Sequence, residues 1–538
     1  MKPSTLRKAR LVSPPLAAAL AVCLTLSAFA LPPQARTREQ RDPALVQGAP
    51  PAQAPGVQAP KEYPKLPEED VSVTNHAVTV GGKPLPYTAV AGTLLLKADD
   101  GRPRANVYFT AYFRDDVKDK AGRPIAFVYN GGPGSASVWL HMGAFGPRKV
   151  VLAEDGNALP GPPGRLVDNE YTLLDATDLC FIDPVGTGYS RAVPGENPAQ
   201  FYGYTEDVAA VGDFIRLFVT RYERWASPKF LIGESYGTPR SAGLAGYLQG
   251  RAASLYLNGI VLISAILNFQ TARFAPMNDA AYMLFLPTYT ADAWYHGKLP
   301  ADLQAKPLAA VLAESRAFAL EEYALALLKG NTLEPGAREA MVNKIARFTG
   351  LSPAYVANSN LRIPLNRFVK ELLRGERRTI GRLDGRFKGF DLDAAGETYE
   401  FDPANAVISG PFPAALNAYV RGELKYKNDT PYAVSGDVRP WSYGNVENQY
   451  LNTAETLRGA MAANQFLKVF VANGYYDGAT PFFATEYTFF QTDLAGDLAS
   501  RVKMGYYEAG HMMYIHRPSH AKLKADLAEF IRDAAGIQ

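Results

Sequence analysis

Cysteine is scarce in this chain: of its 538 residues, only Cys23 and Cys180 are cysteines. Cys23 lies in an N-terminal segment that we expect to be removed, which would leave Cys180 alone and exclude an intrachain disulfide. Without that covalent constraint, the fold has to be stabilised by a hydrophobic core, and a chain of this length can bury a large one.

A large net charge is also lacking. The 56 Lys and Arg residues are nearly balanced by 53 Asp and Glu residues, and the formal net charge is +3. Such a small charge gives no reason to expect nucleic acid or an anionic membrane as a partner. The hydrophobic fraction of 47% and the charged fraction of 20% are those of an ordinary globular protein, and they exclude a disordered, collagen-like or coiled-coil chain.

Long hydrophobic runs are absent except near the N-terminus. There, several basic residues precede an uncharged apolar run from Leu16 to Ala30, which closes on Ala28-Phe29-Ala30. This arrangement is typical of a cleavable secretory signal peptide over residues 1–30, because the run is short for a membrane span. We therefore expect an exported protein, periplasmic or secreted, with no membrane span after processing. An uncleaved anchor is the alternative.

The rest of the chain changes character along its length. Residues 31–69 are rich in Pro and Ala, which predicts a disordered leader. Residues 71–114 alternate short apolar runs with turn residues, the pattern of antiparallel hairpins. Beyond residue 125, short apolar runs alternate with helical periodicity. This predicts an α/β fold with a mostly parallel sheet covered by helices on both faces.

The alternation of strands and helices is interrupted once. We expect a first part of the core at residues 70–268, a large and mainly helical insertion at residues 269–464, and a second part of the core at residues 465–538. The insertion contains irregular segments with Gly and Asp, such as Gly381–Phe387, to which the sequence assigns no role. Internal repeats are not apparent.

The sharpest local signal is the run Gly233-Glu234-Ser235-Tyr236-Gly237, which follows a short apolar run and precedes a segment compatible with a helix. A serine on a tight turn between strand and helix presents its hydroxyl group, and the flanking glycines avoid collisions with neighbouring backbone. The pattern predicts a nucleophilic serine at residue 235. An ordinary glycine-rich turn is the alternative.

A serine hydroxyl group is a weak nucleophile until a base takes its proton, so a histidine and an acid have to be found. Among the six histidines, His511 follows a late strand and precedes the last helix. Asp477 lies just past the preceding strand. The order serine, acid, histidine is that of hydrolases with this type of turn. A loop histidine and a turn-forming aspartate are the alternatives.

Metal chemistry is not predicted. His516 and His520 are four residues apart, but Pro518 lies between them and only His511 is close in the sequence. We expect neither a metal nor another cofactor.

Acyl transfer also needs backbone donors for the oxyanion that forms when serine attacks a carbonyl group. The amide of Tyr236, directly after the predicted nucleophile, is one candidate. The second is expected in the glycine-rich loop at residues 130–137, which follows the buried strand predicted at residues 125–129.

These motifs together resemble the serine carboxypeptidase family. The glycine-rich loop, the run Asp183-Pro184-Val185-Gly186-Thr187-Gly188-Tyr189-Ser190, the turn at Ser235, the Asp477 loop and Gly510-His511 follow one another in that family's order, and the similarity extends from about Tyr87 to Phe530. The resemblance implies an α/β-hydrolase fold in which the insertion forms a cap. It also implies removal of C-terminal residues from peptides or proteins through an acyl-enzyme.

The resemblance assigns a catalytic role to five residues. Ser235 is expected to be the nucleophile, His511 the general base and then the general acid, and Asp477 the residue that orients His511. The amides of Gly132 and Tyr236 are expected to form the oxyanion hole.

Three further residues are implied in binding the terminal carboxylate of the substrate: Asn130, Glu234 and the amide of Gly131. Two buried carboxylates repel one another unless one is protonated, so an acidic pH optimum is expected. A structural role of Glu234 within the turn is the alternative.

The sequence departs from the family's pattern at three places. Ala144 stands where many members carry a second acidic residue, Ser135 stands where eukaryotic members have a cysteine, and Thr238-Pro239-Arg240 replaces the usual small and aromatic residues. Arg240 either adds positive charge near the site or points away from it.

Two other functions stay open on the sequence alone. One is an esterase or acyltransferase that uses the same triad, and the other is a binding protein that has lost catalysis. The sequence predicts neither the side-chain preference nor the oligomeric state.

Overall fold

The computed structural model describes residues 69–153, 164–251, 253–444, 446–494 and 496–537. The predicted signal peptide, residues 1–30, and the predicted leader as far as residue 68 lie outside the described residues.

The described chain forms strands of very different lengths, long near the start and short in the interior. They are β1 (Val71–Val80), β2 (Lys83–Lys97), β3 (Pro103–Arg114), β4 (Ile125–Tyr129), β5 (Arg148–Val150), β6 (Leu166–Asp168), β7 (Asp178–Ile182), β8 (Arg191–Ala192), β9 (Lys229–Glu234), β10 (Gly259–Ile263), β11 (Arg378–Ile380), β12 (Lys388–Phe390), β13 (Lys468–Gly474) and β14 (Val502–Tyr507).

Helices fill most of the remaining described chain. They are α1 (Tyr204–Arg221), α2 (Gly237–Gln249), α3 (Ala280–Tyr295), α4 (Ala301–Gln304), α5 (Leu308–Phe318), α6 (Ala324–Lys329), α7 (Pro335–Thr349), α8 (Pro353–Asn358), α9 (Leu365–Glu371), α10 (Pro403–Ser409), α11 (Pro411–Gly422), α12 (Ala454–Ala463), α13 (Phe482–Gln491), α14 (Asp497–Ser500) and α15 (Arg517–Ala535).

The large sheet has the strand order β1-β2-β3-β7-β4-β9-β10-β13-β14, and β8 also pairs with β3. Strands β1, β2 and β3 form the antiparallel hairpins that the sequence predicts for residues 71–114. From β7 to β14 the strands are parallel. Their carboxyl ends therefore meet at one edge of the sheet, where ligands of α/β proteins gather.

Neighbouring residues on the parallel strands enter different apolar clusters. In β9, Phe230 and Ile232 pack into the cluster that contains residues of α15, whereas Leu231 packs into the cluster that contains residues of α1 and α2. All three side chains are fully buried. Because successive side chains of a strand point to opposite faces, a strand made only of apolar residues needs helices on both sides of the sheet. The predicted α/β fold is confirmed.

Between β10 and β13 the chain forms α3 to α12 and the small hairpin β11–β12. Residues of α3, α5, α7 and α9, such as Leu284 and Phe368, share a third apolar cluster. Helix α11 packs toward one face of the sheet through Phe412 and Tyr419. Helix α12 packs toward the other face through Met461. The residues of the predicted insertion therefore contact both the sheet and one another.

No helix in the described ranges is long and apolar enough to cross a membrane.

Candidate active site

Ser235 lies between the end of β9 and the start of α2, as the sequence predicts. Its φ of 59° is in the left-handed region, which a residue with a side chain adopts only where its surroundings enforce it. The Ser235 N–H donates to the carbonyl of Ile263 at the end of β10, at 3.0 Å, and the Ser235 carbonyl accepts from Thr238 N–H at 2.8 Å. These bonds hold the strained turn, and the serine side chain stays partly exposed.

Glycines allow the backbone to pass close to this turn. A Cβ atom on Gly233 would lie 2.2 Å from the carbonyl oxygen of Gly237. A Cβ atom on Gly131 would lie 2.3 Å from the amide nitrogen of Tyr236. Both distances are far below van der Waals contact, so only glycine fits. The glycine-rich loop after β4 is thereby brought against the turn that carries Ser235.

Asp477 and His511 are hydrogen-bonded to each other. Asp477 follows β13, His511 follows β14, and the distance from His511 Nδ1 to Asp477 Oδ2 is 2.8 Å. Both side chains are buried. With Nδ1 donating to the carboxylate, Nε2 is the ring nitrogen that can accept a proton, which is the arrangement of a histidine base with its orienting acid.

Thr480 helps to orient this pair. Its hydroxyl group donates to Asp477 Oδ2 at 2.7 Å, and its backbone N–H donates to Asp477 Oδ1 at 3.0 Å. Its Oγ1 also lies 3.3 Å from His511 Nδ1. Thr480 lines the same cavity of about 400 Å³ as Ser235. Ser235 and the segment that follows Asp477, residues 478–480, therefore border one cavity.

Burial and charge act in opposite directions on His511. Burial lowers its pKa, whereas the charge and hydrogen bond of Asp477 and the charge of Glu234 raise it, and the net pKa lies above the usual value of 6.5. An imidazolium ion is therefore stabilised beside Asp477. That is the species that forms when histidine takes a proton from serine.

The histidine loop is held by the segment Gly381–Phe387, whose role the sequence does not reveal. His511 N–H donates to the carbonyl of Leu383 at 2.7 Å, and Gly510 N–H donates to Asp384 Oδ2 at 2.9 Å. Arg386 fixes that carboxylate through two bonds from its guanidinium group. On the other side, the carbonyl group of Arg382 accepts from Gly478 N–H in the Asp477 loop at 3.1 Å. One segment therefore supports both loops.

Ser264 ties the end of β10 to the histidine loop. Its hydroxyl group donates to the carbonyl of His511 at 2.7 Å, and its N–H donates to the carbonyl of Ala472 in β13 at 2.9 Å. The sequence analysis missed this residue, because only the folded sheet brings β10 next to β13.

The predicted oxyanion residues, Gly132 and Tyr236, line the same cavity as Ser235. Gly132 has a φ of 100°, a conformation that residues with a side chain rarely adopt. The two residues come from the loop after β4 and from the turn after β9, and β4 and β9 are neighbours in the sheet.

The predicted carboxylate-binding residues form a buried polar group. Asn130 and Glu234 are 1% and 3% exposed. Tyr514 donates its hydroxyl hydrogen to Glu234 Oε2 at 2.6 Å, and Leu140 N–H donates to Asn130 Oδ1 at 3.0 Å. Asn130 Nδ2 is buried and has no hydrogen-bond partner in the described part of the chain. Tyr514 was not predicted.

The pKa of Glu234 is raised to about 7. The main cause is burial, and the negative charge of Asp477 adds to it, while His511, Tyr514 and Asn130 act in the opposite direction. The carboxyl group is therefore mostly protonated in mildly acidic solution and can donate a hydrogen bond there.

Known proteins are similar to this chain in sequence. Residues 90–285 match the family described as serine carboxypeptidase. The chain is 26% identical to serine carboxypeptidase-like 45 of Arabidopsis thaliana over 180 residues, which are 32% of this chain and 36% of that protein. It is 28% identical to the pheromone-processing carboxypeptidase KEX1 of Saccharomyces cerevisiae over 157 residues, which are 27% of this chain and 20% of that protein. Over residues 90–285, the chain is therefore similar to the serine carboxypeptidase family.

The matched segments span no more than 36% of the length of these two curated relatives. A solved structure extends the comparison of folds. The crystal structure of KEX1(Δ)P, a prohormone-processing carboxypeptidase from Saccharomyces cerevisiae, superimposes with a TM-score of 0.52 at 14% identity, over 83% of this chain and 91% of that chain. The sheet and helices of this chain therefore share that architecture.

The structure decides between the two expectations for Arg240. The side chain is 1% exposed and forms two hydrogen bonds with Asp207, at 2.7 and 3.2 Å. It also donates to the carbonyl of Asn130 at 2.6 Å. Arg240 thus does not line the cavity, is paired with Asp207 and fixes the start of the glycine-rich loop.

The other departures from the family's pattern are buried or locally bonded. Ala144 is fully buried, and its carbonyl accepts from Asn169 Nδ2 and His520 Nε2, each at 2.8 Å. Ser135 Oγ accepts from Trp139 Nε1 at 3.0 Å. Neither position brings a charge to the carboxylate-binding group.

The described residues contain no group of three or more His, Cys, Asp or Glu side chains placed to hold a metal ion. His516 and His520 have different partners, since His516 Nδ1 lies 2.8 Å from Ser519 Oγ while His520 bonds to Ala144.

The close contact at Gly510 generates a prediction. A Cβ atom there would lie 2.4 Å from the carbonyl oxygen of Leu383 and 2.4 Å from Asp384 Cβ. Gly510→Ala should displace His511 and lower the rate of hydrolysis of a small ester by about 100-fold, the loss typical of a catalytic group misplaced by about 1 Å. Circular dichroism should show that the fold is kept.

Gly459→Ala is the matched control, because a Cβ atom at that helical position meets nothing within 4 Å. It should leave the rate unchanged. Equal activity of the two variants would contradict the support that we assign to the segment beside His511.

Proposed function

We propose that this protein is a serine-type carboxypeptidase, which removes C-terminal residues from peptides or proteins through an acyl-enzyme on Ser235. The observation that carries the proposal is the buried carboxyl group of Glu234, next to the nucleophile and accompanied by the buried amide group of Asn130. A hydrolase of simple esters has no use for such a group. An enzyme that binds a peptide by its free terminal carboxylate requires such a group.

The reaction follows from the geometry of the triad. Ser235 Oγ attacks the last peptide carbonyl while His511 Nε2 takes its proton, and Asp477 stabilises the imidazolium ion through the bond to Nδ1. The amides of Gly132 and Tyr236 stabilise the oxyanion. His511 then protonates the leaving amine, the C–N bond breaks, and water releases the acyl group from Ser235 by the same steps in reverse.

Binding of the terminal carboxylate requires that the site does not carry a second negative charge. With its pKa raised to about 7, Glu234 is protonated below that pH and donates a hydrogen bond to the substrate. Asn130 Nδ2 supplies a further donor that is already buried, and the amide of Gly131 a third. These groups are already buried in the free protein, so substrate binding does not have to remove water from them. This favours binding.

Glu234 and His511 are coupled through their charges, because the negative charge of Glu234 is one of the causes that raise the pKa of His511. A proton on Glu234 removes that contribution. The histidine then stays neutral to lower pH, as a general base requires. In mildly acidic solution, Glu234 can therefore be protonated while His511 is still an active base.

The proposal includes the arrangement of domains. We take residues 70–268 and 465–538 as the hydrolase core and residues 269–464 as a cap over the active site. Support comes from the cavity beside Ser235, because several of its lining residues belong to the cap: Phe269, Arg273, Phe274, Phe285, Leu365, Asn366, Arg382, Tyr399 and Tyr443.

Export is also part of the proposal, on the pattern of charge and hydropathy in residues 1–30. Mass spectrometry of the protein purified from a secreting host should show a mature chain that begins at Leu31. A mature chain that still begins at Met1 would contradict this prediction.

The activity is tested with one N-terminally blocked peptide in two forms, a free C-terminal acid and a C-terminal amide, at mildly acidic pH. Mass spectrometry should show stepwise loss of C-terminal residues from the free acid and far slower loss from the amide. Ser235→Ala should abolish cleavage by several orders of magnitude. If both peptides stay intact while a simple ester is hydrolysed, the protein is an esterase or acyltransferase.

The role of Glu234 predicts a pH dependence. As pH rises through about 7, Glu234 loses its proton, so kcat/KM for the free acid should fall by up to about tenfold per pH unit, whereas hydrolysis of an ester lacks this decline. Glu234→Gln cannot lose a proton and should flatten the profile for the free acid. Exposed Glu321→Gln is the control and should keep the wild-type profile. An unchanged decline in Glu234→Gln would assign the ionisation to another group.

A further inference from the structure

The cavity beside Ser235 carries positive charge without a matching negative charge. Among the described residues that line it are Arg273 and Arg382, and none is Asp or Glu. Its volume is about 400 Å³, enough for an amino acid side chain. An uncompensated charge at the wall of a cleft attracts the opposite charge on a ligand.

Neither arginine forms a salt bridge in the described part of the chain, although burial raises the pKa of nearby Asp402 and the charge of Arg382 acts to lower it. Arg273 follows the turn Phe269–Ala272 and lies with its guanidinium carbon 5.5 Å from the centre of the Phe269 ring. Arg382 engages its neighbours through its backbone, whose N–H donates to Asp402 Oδ1 at 3.2 Å. Both residues are exposed. By contrast, Arg362 in the same region forms an ion pair with Asp279.

The cavity borders Ser235 but not the residues proposed to bind the terminal carboxylate. Glu234 and Tyr236 flank the nucleophile, and only Tyr236 lines the cavity. Asn130 does not line it either. A peptide held by its terminal carboxylate at Asn130 and Glu234 therefore directs the residue on the acyl side of the scissile bond toward the cavity.

We propose that this cavity selects substrates with an acidic side chain, Glu or Asp, at the penultimate position, through Arg273 and Arg382. The inference rests on the proposed carboxypeptidase function for the direction in which the peptide lies. Planar guanidinium groups bind carboxylates through paired hydrogen bonds. The apolar walls, which include Phe274, Phe285 and Leu365, contact the methylene groups that precede the carboxylate.

The test uses blocked dipeptides that end in the same C-terminal residue and differ in the penultimate one, Glu, Gln or Lys. At about pH 6 a Glu side chain is ionised while Glu234 is still mostly protonated. We expect kcat/KM for the Glu peptide to exceed that for the Gln peptide by about tenfold, with the Lys peptide slowest. The ratio of Glu to Gln should fall as salt is added, because the arginines are exposed to solvent.

Two variants and a control assign the preference to residues. Arg273→Gln and Arg382→Gln should each lower the ratio of Glu to Gln about threefold, and the double variant should bring it to about one. The ratio is taken within each variant, so a general loss of activity cancels. Arg216→Gln, an exposed arginine on α1 outside the cavity, should leave the ratio unchanged.

Two further measurements separate this inference from the proposed function. Blocked Glu, Gln and Lys ethyl esters need the cavity and Ser235 but not the carboxylate-binding group. If esters are hydrolysed and dipeptides are not, the carboxypeptidase proposal fails, and the ratio among esters still decides the preference. Calorimetric titration of the Ser235→Ala variant with the Glu and Gln dipeptides measures the binding preference without turnover. Equal rates and equal binding for Glu and Gln would overturn the inference.

Discussion

The alignment of the candidate active site depends on a short stretch of backbone at residues 382–385. Its carbonyl groups accept hydrogen bonds from Gly478, in the loop of Asp477, and from His511 itself, and Gly385 N–H donates back to the carbonyl of Tyr476. The Asp384 side chain adds a bond from Gly510 N–H, so the segment holds the histidine loop through both backbone and side chain. The distance between acid and base is thereby fixed from outside the sheet, while Ser264 fixes it from the sheet side.

Burial also affects the pKa of an aspartate that lies beside this stretch of backbone. Asp292, in α3, is fully enclosed, and burial together with the nearby charges of Asp384 and Asp477 raises its pKa well above the usual range. Gly385 lies against its carboxyl group. The neutral form of Asp292 is therefore favoured, while Asp477 is hydrogen-bonded to His511 and Asp384 is paired with Arg386. A region with several aspartates thus avoids accumulating negative charge beside the base.

The sequence was informative wherever a local pattern carries the structural requirement. The turn at Ser235 could be predicted because Gly233 and Gly237 are needed next to it in the chain. The strands could be predicted because apolar runs without polar residues fit a sheet that is covered by helices on both faces. Asp477 and His511 could be predicted because each follows a strand whose carboxyl end reaches the same edge of the sheet.

Contacts between distant parts of the chain could not be predicted in this way. Tyr514 reaches Glu234 across 280 positions of sequence, and the bond from Ser264 to His511 spans 247. Arg240 had two possible directions until its pairing with Asp207 was known. The segment around Leu383 has no periodicity, and most of its bonds to the two loops are backbone bonds, which any residue type can make.

Arg382 contributes both to the support of the Asp477 loop and to the wall of the cavity. Its carbonyl group supports the loop of Asp477, and its side chain borders the cavity beside Ser235. A change of side chain at this position alters the cavity and preserves the backbone bond, so selectivity can drift by point substitution. Exchange of the whole inserted region between relatives, in contrast, removes the support of the catalytic loops. Point substitution at such a position is therefore tolerated more easily than replacement of the whole inserted region.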